Sequence, residues 1–135
     1  MKPKVKHLFH SVLLFTNLMI GCVPPSIPNY DIGTGKLIFK DTCQGQTVYL
    51  MDIAILNAYK SGYSYSDTLT VGDTTYFHVV RLDARQFDIL SKKSVYDKIN
   101  IEFDRGIRNT LPKCNGFPVG SVETVNVFSI RSVDY

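Results

Sequence analysis

Residues 68–82 read TLTVGDTTYFHVVRL, two β-branched and aromatic runs on either side of Gly72-Asp73. A two-residue connection with glycine first is the chemistry of a tight hairpin, because glycine takes the positive φ of the first central position at no steric cost. The pattern predicts strands over 68–71 and 74–82 joined at that turn. In the second arm Phe77 and Val79 share one face, and Tyr76, His78 and Val80 share the other.

Outward from this hairpin the same signal recurs. Residues 36–40 make a first strand, and 47–56 a longer, nearly continuous apolar one, which places it centrally in a sheet. Asp52 falls in its middle and needs an edge or a basic partner, since an unpaired buried charge is costly. Ile99, Ile101 and Phe103 alternate with Lys98, Asn100 and Glu102, giving a half-buried strand that stops at Asp104-Arg105-Gly106, read as a turn. Residues 122–130 form the last strand. Asp83 and Gln86 have the spacing of a capping box opening a helix over 84–92, with Phe87 and Leu90 toward the sheets; an irregular crossover is the alternative. About six strands with at most one short helix define a mainly β chain. The expected architecture is a small β-sandwich, an immunoglobulin-like one included, with an open small barrel second. The 135 residues hold one such domain, placed at 36–135.

The amino terminus has a different logic. Lys2, Lys4 and Lys6 precede an apolar stretch over 8–21, too short for a transmembrane helix of about 20 apolar residues and suited to a cleaved secretory signal over 1–21. The segment Leu18-Met19-Ile20-Gly21-Cys22 resembles the lipobox of bacterial lipoproteins, with Met19 where leucine is commonest. The resemblance covers only the first 22 residues. It implies a diacylglycerol thioether on Cys22, cleavage just before it and acylation of the new amino group, so that the partner of the mature terminus is a lipid bilayer. It also implies residence in the cell envelope, at the periplasm or cell surface, with Val23 after the cysteine favouring the outer membrane over the inner.

Lipidation would consume one of the three cysteines and leave Cys43 and Cys114 as a pair that an oxidising compartment lets join. Closing that loop of about 70 residues would add roughly 4 kcal/mol in the chain-entropy view. Two free buried thiols are the alternative. Residues 23–35, VPPSIPNYDIGTG, hold three prolines and two glycines; with Cys22 they read as a lipidated, extended tether over 22–35.

Loss of the signal also removes three of the 15 basic side chains, leaving 12 against 12 acidic ones. A neutral mature chain lacks the basic cluster that phosphate binding needs, which excludes a nucleic-acid partner and gives no reason for electrostatic binding to anionic lipid. His7 and His10 leave as well, so His78 is the one histidine of the mature chain. No metal site and no cofactor site is expected from it, and between Phe77 and Val79 it reads as structural. Glu102 and Glu123 are the only glutamates, each in an alternating strand where an outward charge is ordinary. Gly33-Thr34-Gly35 is too short to cradle a phosphate.

The stretch that points to binding is 59–66, YKSGYSYS, because tyrosine interleaved with serine and glycine offers large amphipathic contact area at low entropic cost. Tyr59, Tyr63 and Tyr65 are the candidate ligand-contact residues, against a reading in which the rings fold back on the domain. The function expected is a non-enzymatic, membrane-anchored envelope module binding a glycan, a peptide or another envelope protein. A structural accessory subunit comes second, and a hydrolase last, for want of a catalytic set.

Overall fold

The computed structural model describes residues 26–62, 64–84 and 88–133. The elements in chain order are β1 (Asp31–Cys43), β2 (Gln46–Asn57), β3 (Leu69–Val71), β4 (Thr74–Tyr76), β5 (Val79–Asp83), α1 (Asp88–Ser91), β6 (Lys98–Thr110) and β7 (Ser121–Ser132). Five strands close into a ring in the order β1-β2-β5-β7-β6, and β3 and β4 form a separate hairpin. The β5–β7 pair is parallel and the other ring pairs are antiparallel. The third and fifth ring strands are thus the parallel neighbours.

The mainly β chain with one short helix is as the sequence predicts. The ring is a closed barrel, neither the pair of stacked sheets nor the open barrel expected. The cause lies in β1, which pairs with β2 along one edge and β6 along the other, so that residues 32–36 serve both sides of the closure. A Cβ on Gly35 would lie 1.9 Å from the Asp52 carbonyl oxygen, where the β1–β2 register shifts. Glycine there lets the backbones approach and the sheet curl. For this reason β1 begins at Asp31, inside the stretch read as tether.

Gly106 repeats the device. Its Cβ would stand 2.0 Å from the Thr124 carbonyl oxygen, at a register shift between Arg105 and Arg108. The stretch Asp104-Arg105-Gly106 is accordingly no turn: β6 runs through it to Thr110 with a bulge that bends the strand around the barrel. The Gly72-Asp73 hairpin forms as predicted, with Gly72 at φ +59°. Its second arm breaks at Phe77-His78, since Tyr76 ends the hairpin and Val79 starts a ring strand. The helix is confined to α1 among the described residues; Gln86 and Phe87 lie outside them, and Leu90 is fully buried.

Two apolar clusters result. Met51, Ile53, Val80, Leu82, Ile99, Ile101, Phe103, Val125 and Val127 fill the barrel, plugged by Leu90 and Tyr65. Ile38, Val48, Leu50, Val79 and Val122 form a second cluster, covered by Leu69 of the hairpin and by Leu111 and Phe117 of the β6–β7 loop. Phe117 meets Phe39 edge to face at 4.9 Å. Asp52 is half-buried, in register with the exposed Lys36 of β1.

Candidate functional site

The two ends of β1 are built differently. At its first residue the Asp31 carboxylate is 1% exposed and accepts the backbone N–H groups of Lys60 (2.9 Å) and Ser61 (3.1 Å) together with the Ser61 hydroxyl. This fastens the tyrosine-rich loop to the point where the chain enters the barrel. Lys60 reaches on to Asp104 at 2.8 Å.

Tyr65, one of the three candidate contact residues, is 3% exposed and packs edge to face on Phe103 at 5.6 Å. Burial raises its phenol above the ordinary range, and the nearby Asp31 and Glu123 carboxylates push the same way, against Arg105 and Ser61. Its place is in the packing. Tyr59 is 49% exposed, and Tyr63 lies outside the described residues, as does Cys22.

The carboxylates weighed for catalysis are each committed to an arginine. Glu123 is buried and bonded by Arg105 Nε at 2.7 Å, and Glu102 by Arg131 at 3.3 Å. Asp67 accepts from Arg108 (2.7 Å) and from the Glu123 N–H (2.9 Å), which binds the approach to the hairpin onto β7. His78 is exposed, and its carbonyl accepts the Ile53 N–H. No group of three or more metal-ligating side chains occurs among the described residues.

At the other end of β1, Cys43 and Cys114 are joined by a disulfide, with Cα atoms 6.2 Å apart. It ties the β1–β2 turn to the β6–β7 loop and points to an oxidising, extracytoplasmic compartment. Beside it opens a cleft of about 970 Å³. One wall is the turn and the start of β2, with Gln44, Gln46, Thr47 and Tyr49. Also lining the cleft are Arg81 and Asp83 of β5, Asp88 and Ser91 of α1, Asn109 of β6 and Thr124 of β7.

Local chemistry holds these walls in place. Gln44 and Gly45 take positive φ (52° and 76°) to make the turn, and the Thr42 and Thr47 hydroxyls are bonded across it at 2.9 Å. Asn109 donates to the Thr124 hydroxyl at 2.8 Å. Lys40 donates to the Ser91 carbonyl and anchors α1 to β1. Hydrogen bonds from Lys92 and then Ser91 keep the Asp88 carboxyl below its usual range, so the rim stays charged.

Amides and hydroxyls that both donate and accept dominate the lining, and the half-buried Tyr49 ring packs against the barrel core at its edge. Such a surface suits a hydroxyl-rich or amide-rich ligand, with Arg81, Asp83 and Asp88 as charged points among the neutral groups. Sequence reasoning missed it. The signals available were the polar turn Gln44-Gly45-Gln46-Thr47 and Tyr49, the one aromatic residue of β2.

Comparison of the chain with protein-family models, with curated proteins and with solved structures finds no match.

Proposed function

We propose that the mature chain is a lipid-anchored, non-enzymatic binding module of the cell envelope, and that its polar cleft takes a neutral glycan or peptide segment. The observation that carries the proposal is the position of the cleft. It lies over β2 and β5, between the turn after β1 and the end of β6. In five-stranded Greek-key barrels the second and third ring strands, flanked by the loops after the first and fourth, are where oligomeric ligands bind. Fold alone assigns no ligand, so the chemistry of the lining decides the class. The overall neutrality of the mature chain and the amide and hydroxyl lining favour uncharged partners over nucleic acid. The disulfide supports the reading by fixing the rim before a ligand arrives, which lowers the ordering cost of binding. Docking through a sheet edge, as a structural subunit would use, has less support because each barrel strand has two neighbours in the ring.

Anchorage rests on the lipobox-like segment ending at Cys22. A palmitate analogue fed to cells is expected to label the wild type and not Cys22→Ala; equal labelling of both would remove the anchor. For the cleft, a photo-crosslinking residue at Thr47 or Thr110 is expected to capture envelope glycan or peptide in cells. Capture from Thr70, on the separate hairpin, but not from the cleft would refute the assignment.

A further inference from the structure

We propose that the entry end of the barrel rests on the bilayer surface, with Tyr59 and Phe128 in the lipid interface. The proposal rests on the lipid-anchor reading and adds to it a second, non-covalent membrane contact that fixes the domain's orientation.

Tyr30, Tyr59 and Phe128 all belong to segments that meet at the start of β1. Tyr30 precedes it and packs edge to face on Phe128 of β7 at 5.3 Å. Tyr59 precedes Lys60, whose N–H is bonded to the Asp31 carboxylate. Phe128 is 44% exposed although it sits in a ring strand, and Ile27, just ahead, is exposed too. An aromatic side chain with one apolar face and one wet end is the residue type that settles at headgroup level.

Chain length selects the bilayer as the occupant. Nine residue steps separate Cys22 from Asp31, a reach of about 30 Å at full extension. The 13 residues of β1 then lead away from that point to the disulfide and the cleft. At about 3.3 Å per residue the strand contour exceeds the tether. The entry end is therefore held within reach of the membrane, and the cleft is carried to the far side. The neutral charge makes this an apolar contact, insensitive to salt.

The chain contains no tryptophan, so a single one reports cleanly. Full-length acylated Tyr59→Trp, Phe128→Trp and Val119→Trp would each be reconstituted into vesicles of phosphatidylethanolamine and phosphatidylglycerol with brominated acyl chains. Val119 is the control, 91% exposed on the loop tied to Cys43. Emission from the Tyr59→Trp and Phe128→Trp variants is expected to fall on bromination, unchanged by salt, while that from Val119→Trp holds. Tyr59→Trp alters an exposed ring and decides the matter even if Phe128→Trp folds poorly. Protein that floats with the vesicles but is quenched equally little in all three variants keeps the anchor and overturns the contact. Protein that fails to float overturns the anchor and the contact together. Shielding from aqueous quencher in Tyr59→Trp and Phe128→Trp without quenching by bromine would assign this end to a protein partner instead and also overturn the proposal.

Discussion

The entry end and the cleft end of β1 solve one problem, holding a loop against a small barrel, in opposite ways. At the entry end a buried carboxylate takes three donors from Lys60 and Ser61, and Tyr65 is driven into the core behind it. At the cleft end a disulfide holds the loops, and polar side chains between them line an open cleft. Hydrogen bonds to one buried carboxylate do the holding at the entry end, whereas at the cleft end the disulfide does it together with the Thr42–Thr47 and Asn109–Thr124 bonds and leaves the cleft open.

The contrast predicts a graded series of effects. The largest should come from the staple itself: Cys43→Ser with Cys114→Ser is expected to cost about 4 kcal/mol in urea unfolding, for cysteines 71 residues apart in the chain. A loss below about 1 kcal/mol would mean that packing, and not the bridge, holds the cleft end. Next, Gly35→Ala forces a Cβ onto the Asp52 carbonyl and should cost about 3 kcal/mol, read from the shift in urea midpoint. Tolerance there would show that barrel closure does not depend on the close approach.

Asp31→Asn keeps the shape but removes the charge that strengthens both N–H bonds at Oδ1 and sets an amide donor at the Oδ2 position against the Ser61 hydroxyl, with an expected cost of about 2 kcal/mol. The same variant should loosen residues 59–62 in amide hydrogen exchange and leave 44–47 unchanged; equal loosening at both ends would dissolve the contrast. Tyr65 provides a pH test of smaller size. Its phenol ionises less readily folded than unfolded, so its contribution is intact below the unfolded value of about 10 and is lost as pH rises beyond it. The wild type should therefore lose more stability between about pH 9 and about pH 11 than Tyr65→Phe does; parallel curves would argue against it. Asn109→Ala, in the cleft, removes the bond to the buried Thr124 hydroxyl and should cost about 1 kcal/mol while weakening ligand capture.

Much of the fold was legible. The Gly72-Asp73 turn, the apolar run of β2 and the alternation of Ile99, Ile101 and Phe103 each report local geometry, and local geometry is what periodicity encodes. Closure was not legible, because the parallel β5–β7 pair joins strands separated by a helix and another strand. The same glycines that mark loops, at 35 and 106, here permit close backbone approach inside strands, and only the partner strand tells the two uses apart. The cleft was illegible for another reason. Tyrosine-rich composition drew attention to 59–65, whereas the cleft is assembled from several separate segments of the chain, none of them a motif by itself.

The most direct test of the binding-module account is a two-dimensional amide NMR titration of the folded domain with envelope glycan fragments and short neutral peptides. Saturable shifts confined to Gln46, Thr47, Tyr49, Asn109 and Thr124, abolished when the disulfide is removed under conditions where the barrel stays folded, are the predicted result. Saturable shifts that gather instead around Tyr59 and Asp31, or none with any such ligand, would contradict it.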